Sequence, residues 1–161
     1  MPKLIKNTEI TENTWVTLDK DFSGELPEGP SFVPFTYFLA NADAVCKKSN
    51  TGVWLDSDES PEALEPYLKK LDYIAINFPK FVDGRGYSYA RILRDRLSYT
   101  GELRAIGDVL HDQMFFYQRC GFDAYAVRED KNIEVAMQGL SDFSNCYQAA
   151  TDQPEPLFRR R

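Results

Sequence analysis

Histidine appears once in this chain, at His111, and cysteine three times, at Cys46, Cys120 and Cys146. No zinc-ligand spacing, phosphate-binding loop, nucleophile elbow or heptad array is present, which removes the commonest motif-borne chemistries. An odd, unclustered cysteine set suits a reducing compartment rather than a disulfide scaffold. Three scattered thiols also fall short of the four that normally ligate an iron–sulfur cluster. Long apolar runs are missing too. None approaches the ~20 residues that cross a bilayer, and the first residues lack a signal-peptide core, so a cytoplasmic protein without a membrane partner is expected. Basic charge is in deficit, with 19 Lys and Arg against 25 Asp and Glu and a net charge of −6. That balance argues against broad nucleic-acid binding.

What the chain does hold is bulk. Apolar residues make up 43% and aromatics 14%, enough for a core and against disorder over most of the length. Its length suits one domain over 1–161, with an N-terminal hairpin in 1–18, an α/β core in 32–149 and a C-terminal tail in 150–161. The β-like pieces 3–6 and 14–17 are read as the two arms of the hairpin. From Phe32 onward, short apolar runs alternate with helical periods. Strands are expected at 32–33, 53–55, 73–76, 102–106 and 123–127. Helices are expected from Pro34, over the stripe Leu64, Tyr67, Leu68 and Leu71, over 86–98, from the cap Asp108 to Cys120, and from Ile133 through Phe143 and Tyr147. Pro66 lies inside the second of these, where it removes a hydrogen bond. Gly121 is placed to end the fourth in the left-handed conformation. Single helices between successive strands imply right-handed crossovers and an α/β fold with a mainly parallel sheet of about five strands. An open doubly wound sheet is preferred to a partial barrel.

In such a sheet, ligands bind beyond the carboxyl ends of the strands. Residues 56–59, 77–85, 107–111 and 128–130 fall there. The run Asp83-Gly84-Arg85-Gly86-Tyr87-Ser88-Tyr89 begins like the G-x-G-x-x-G fingerprint, but Tyr89 stands at the third glycine, which argues against a nicotinamide or flavin site. Its place at a helix start fits a small anion or a partner, and equally a tight glycine turn. Residues 80–104 carry six basic side chains against three acidic ones. Arg85, Arg91 and Arg104, with Arg128 further on, are the candidate anion- or partner-binding residues, unless the island's arginines pair with Asp95 and Glu102.

His111, Asp108 and Asp83 form the candidate catalytic set, since an imidazole just past a strand end could move a proton while arginines hold an oxyanion. A surface histidine beside Asp112 is the other reading. Cys120 lies about 14 Å along the same helix, too far for a Cys–His dyad. Asp56, Asp58 and Glu59 would suit a hard cation or would serve the dipole of the helix opening at Pro61. No metal is assigned, and the sequence names no cofactor.

Four segments carry a resemblance. They are FPKFVDGRGYSYAR at 78–91, YTGELRAIGDVLHDQ at 99–113, RCGFDA at 119–124 and PLFRRR at 156–161. Together they resemble a bacterial domain-of-unknown-function family described as oxidoreductases of sulfite reduction and encoded beside the assimilatory sulfite reductase. The resemblance runs over nearly the whole chain and supplies no catalytic residues to carry over. It implies an accessory protein or oxidoreductase component in the reduction of sulfite to sulfide for cysteine synthesis. Sulfite reductase would then be the partner, met through residues 85–104 and the arginine tail 159–161. The alternative is a stand-alone enzyme that binds a small anionic sulfur compound at the carboxyl edge of the sheet.

Overall fold

The computed structural model describes residues 2–160. β1 (Lys3–Lys6) and β2 (Glu9–Glu12) form an antiparallel hairpin. It turns at Asn7 and Thr8, whose φ of 48° and 69° fit the primed two-residue turn that matches strand twist. The piece 14–17 does not close this hairpin. Only β3 (Val16–Thr17) is extended there, and it pairs in parallel with β4 (Ser31–Pro34) at the opposite side of the sheet. β5 (Thr51–Leu55), β6 (Tyr73–Phe78), β7 (Glu102–Gly107) and β8 (Ala124–Tyr125) follow, each parallel to the strand before it. β1 is antiparallel to β8.

Across the sheet the order is β2-β1-β8-β7-β6-β5-β4-β3. The sheet is therefore eight-stranded and mixed, rather than parallel with about five strands. The doubly wound arrangement is also not formed. A doubly wound sheet reverses its strand order part-way, whereas β3 to β8 run in unbroken chain order, and a constant crossover hand then keeps the helices on one face. The sheet curls into a half-barrel.

Alternation along the strands splits the apolar residues between two faces. Val33, Val53, Ile74, Ile76, Leu103 and Tyr125 meet the helices in the main core. Phe32, Trp54, Ala75 and Ile106 form a smaller cluster on the concave face, with Trp15 and Tyr73 against it. Burial on both faces explains why these strands read as continuous apolar runs.

α1 (Phe35–Lys47) starts directly after β4, with Pro34 ending the strand and standing at the cap rather than in the first turn. Pro61–Lys70 is a 3₁₀ helix. Pro66 has no N–H for a longer-range bond, which accounts for the tighter form. α2 (Arg85–Arg91) runs on into a π turn at Ile92–Arg96, where the Leu97 N–H donates to the Ile92 carbonyl at 3.0 Å. α3 (Met114–Cys120) begins after a 3₁₀ turn at His111–Gln113, so Asp108 does not cap it. It ends where expected, at Gly121, with φ 107°.

α4 (Ile133–Gly139) opens under Asn132, whose Oδ1 accepts the Glu134 and Val135 N–H groups. The period continues in sequence to Tyr147, but the helix does not. Ser, Asp and Asn crowd residues 141–145 and compete for backbone partners, as when Ser141 Oγ donates to the Gln138 carbonyl at 3.0 Å. Phe143 and Tyr147 consequently lie 64% and 70% exposed rather than in a buried stripe. The tail folds back: Arg119 holds Asp152 at 2.5 Å and the Gln148 carbonyl, and Leu157 N–H donates to the Tyr147 carbonyl at 3.1 Å. Among the described residues, no helix is long and apolar enough to cross a membrane.

Candidate functional site

Adjacent parallel strands must bring their carboxyl ends to one rim. Those of β5, β6, β7 and β8 gather the loops that follow each strand. The rim is built from ion pairs.

After β5, Asp56 accepts hydrogen bonds from Lys20 Nζ at 2.9 Å, Asn77 Nδ2 at 3.1 Å and the Ser57 N–H at 2.9 Å. Burial opposes its ionisation, but these donors outweigh that and set its pKa below the ordinary carboxylate range. Lys20 also reaches Asp58 at 3.1 Å, so an ammonium sits between two carboxylates that a cation would need. Glu59 accepts the Asp56 N–H at 2.7 Å, and burial pushes its pKa up.

After β6, Arg85 Nε and Nη2 close on the two oxygens of Asp83 at 3.0 and 2.8 Å, and Nη2 also donates to Ser57 Oγ at 2.9 Å. Tyr89 Oη donates to the Ser57 carbonyl at 2.6 Å. Asp83 further accepts the Arg85 N–H at 3.2 Å. The anion at the start of α2 is thus the chain's own carboxylate, and the Arg85 fork holds it well below the usual range.

After β7, Asp108 takes the Phe81 N–H at 2.6 Å on one oxygen and Arg128 at 2.5 Å on the other. Arg128 also grips Asp130 through Nε at 2.6 Å and Nη2 at 2.7 Å. Hydrogen bonds from Arg128 depress both aspartates. Gly107, just before, has φ 90°, and a Cβ there would stand 2.5 Å from the Phe78 carbonyl oxygen. Only glycine permits β6 and β7 to end this close together.

The candidate residues separate into three groups. Asp83, Arg85, Asp108 and Arg128 share the rim, already paired with one another or with Asp130. His111 is half exposed, with Nε2 3.0 Å from Asp112 Oδ1, while Asp108 is engaged by Arg128 and Asp83 by Arg85. Arg91 and Arg104 lie off the rim. Arg91 closes α2 and pairs with Asp95 at 2.7 Å. Arg104 points onto the concave face, 2% exposed, bonded to Glu102 Oε1 by Nη2 at 2.6 Å and Nε at 2.9 Å. The positive island of 80–104 is dispersed in the same way, since Arg96 meets Glu62 at 2.9 Å and Arg94 donates to the Tyr99 and Gly101 carbonyls. Among the described residues, no three His, Cys, Asp or Glu side chains are grouped to hold a metal ion.

One cavity opens beside this rim and another lies away from it, on the outer helical side. The first, about 630 Å³, lies between the ends of β7 and β8 and the hairpin, with Lys3, Asn13, Ala126, Lys131 and Ile133 in its walls. The other, about 400 Å³, lies between α3 and the segment after α4, with Arg91, Phe116, Phe143 and Tyr147 around it.

Residues 52–158 match the model of a family described as "Bacterial protein of unknown function (DUF934)". The chain belongs to this family. The match begins inside β5 and takes in every rim loop, whereas Asn13, Trp15 and Lys20, which reach the sheet from the preceding segment, lie outside it. Neither the curated proteins nor the solved structures gave a match for this DUF934 member.

Sequence reasoning placed the rim and met Tyr89 only as the residue standing at a third glycine position, without its bond to Ser57; it missed Lys20, which no local signal marks. It also ran the last helix through Phe143 and Tyr147. The polar run around them was the available sign that the helix stops first.

Proposed function

We propose that this protein is an accessory protein of assimilatory sulfite reduction that docks on the sulfite reductase and assists the conversion of sulfite to sulfide. The observation that carries the docking reading is the aromatic surface on the outer helical side. Phe116, Phe143, Tyr147 and Phe158 are 49–70% exposed, with Arg91 beside the first three and Arg159 5.7 Å over the Phe158 ring. Aromatic and arginine side chains contribute most of the binding energy at protein interfaces, and monomers seldom leave several together in water. The identity of the partner rests on the family resemblance of the four sequence segments.

The alternative, an enzyme for a small anionic sulfur compound, draws on the group Ser57, Asp83, Arg85 and Tyr89. It has less support, because carboxylates of the same chain close the forks of Arg85 and Arg128, and His111 stands with Asp112.

Calorimetric titration of the purified protein into sulfite reductase, together with sulfite-dependent turnover, tests the proposal. Binding is expected, weakened on the order of tenfold or more by joint Phe143→Ser and Tyr147→Ser substitution, as for loss of interface hot spots. A strain without the protein is expected to fail on sulfate and sulfite and to grow on sulfide or cysteine. No binding and unchanged turnover would sink the docking reading.

A further inference from the structure

We infer that the 630 Å³ cavity between the β7–β8 rim and the hairpin is a binding site for a small molecule with an apolar body and one anionic group, such as a carboxylate or a phosphate monoester. Its place is the first argument. The carboxyl ends of adjacent parallel strands are where curled and open α/β sheets receive ligands, because the loops there converge while the strands hold them rigidly. Its size is the second, within the roughly 300–1,000 Å³ that small-molecule sites occupy.

The lining supplies the chemistry. Pro2, Ala126, Val127 and Ile133 give apolar walls. Lys3, Arg128 and Lys131 stand around them against a single lining carboxylate, Glu129. Arg128 is committed to Asp108 and Asp130, and Lys131 lies 3.6 Å from Asp130. Lys3 makes no ion pair among the described residues, which leaves it free to meet a ligand. The two lysines come from separate elements, β1 and the turn before α4, so an anion placed between them bridges two walls.

The cavity is also pre-formed. Asn13 donates its N–H to the Pro2 carbonyl at 2.9 Å, and its Oδ1 accepts the Trp15 N–H at 3.2 Å and Arg104 Nη1 at 3.4 Å. One wall is thereby tied to the most deeply buried charge of the concave face, and little ordering is left to be done on binding. The cavity shares no lining residue with the aromatic surface, so it stands or falls independently of the docking proposal.

Isothermal titration with phenyl phosphate and benzoate, and with inorganic phosphate as the comparison, tests the site. Saturable binding of at least one aromatic anion is expected. It should weaken roughly tenfold when Lys3→Glu and Lys131→Glu are combined, because both lost attractions become repulsions. Both lysines are exposed, and an unchanged thermal midpoint will show that the fold is intact. In the unaltered protein, amide shifts on adding phenyl phosphate should centre on Ala126, Lys131 and Ile133. The inference is overturned by no saturable binding of either aromatic anion, by binding that the double substitution leaves undiminished, by inorganic phosphate binding as tightly as phenyl phosphate, or by shifts centred elsewhere.

Discussion

Arg104 and Glu102 face the same way from β7, and the guanidinium bonds one oxygen of the carboxylate while both side chains are almost fully out of water. A buried pair of this kind persists only where both charges are otherwise satisfied. Here Lys6 meets the second Glu102 oxygen at 2.7 Å, and the Trp15 and Phe32 rings each lie 5.0 Å from the guanidinium carbon.

Removing one partner strands the other. Glu102→Gln is expected to destabilise the protein by about 3–5 kcal/mol, because the Arg104 charge is left buried and unpaired. Adding Arg104→Met should recover much of that loss, so the two changes will not be additive. Urea unfolding of the three variants measures this. A neutral Glu102→Gln would show that water reaches Arg104.

Trp15 closes the concave face, with its ring 4.6 Å from Phe32 and 4.5 Å from Tyr73. Trp15→Ala is expected to cost about 2–4 kcal/mol, near the lower end for a large aromatic because the ring is half-buried. Denaturant midpoints and near-ultraviolet circular dichroism will register the change. A loss under ~0.5 kcal/mol, typical of surface sites, would make Trp15 an ornament on the sheet.

At Gly121, φ is 107° and a Cβ would lie 2.6 Å from Arg94 Cγ. Gly121→Ala should therefore cost about 1–3 kcal/mol, combining backbone strain with displacement of the arginine that bonds the Tyr99 and Gly101 carbonyls. Gly29 has open space around its Cβ position. Gly29→Ala is expected to stay within about 0.5 kcal/mol and serves as the control.

Two classes of aspartate give the stability curve opposite slopes. Burial raises the pKa of Asp123, despite Arg94 nearby and the Leu103 N–H bonded to it at 2.9 Å. The native state thus holds this proton more tightly than the unfolded chain, and stability falls as pH rises from about 3.9 through the folded value. Asp83, Asp108 and Asp130 are depressed by hydrogen bonds from Arg85 and Arg128. The stability they bring is complete above about pH 4 and is lost as pH falls through their folded values. Thermal melts from about pH 2 to pH 7 should show Asp123→Asn flattening the decline just above pH ~4, and Asp83→Asn or Asp130→Asn flattening the acid limb. Identical profiles for all variants would contradict both assignments.

The central strands were legible because a strand buried on both faces must be apolar throughout, as in the runs at 53–55 and 73–76. The rim followed from the same logic, since the strand ends fix which loops meet. Strand order was not legible. Residues 16–17 and 3–6 look alike locally, and only the register with Ser31 and Tyr125 decides that one lies at each side of the sheet. The role of Arg104 was hidden for a similar reason. Its charge suggested a ligand, while its cover of Asn13 and Trp15 comes from a segment far away in the chain. The extent of α4 failed differently, because hydrophobic period outlasted the backbone's ability to continue past residues 141–145.

The hairpin joins neighbours in sequence, yet its seat is the last strand of the sheet, with Ile5 opposite Tyr125 and Lys6 opposite Ala124. During synthesis β1 and β2 leave the ribosome well before β8. A lone two-stranded ribbon is marginal in water, so the pair gains a stable position only when β8, the last strand in the chain, arrives. Docking it requires closing a very long loop, which slows that step and leaves the β8 flank open until it is done. Order of synthesis and order of assembly therefore run in opposite directions at this edge, because β1 precedes every other strand of the sheet in the chain yet is seated on β8, which follows them all.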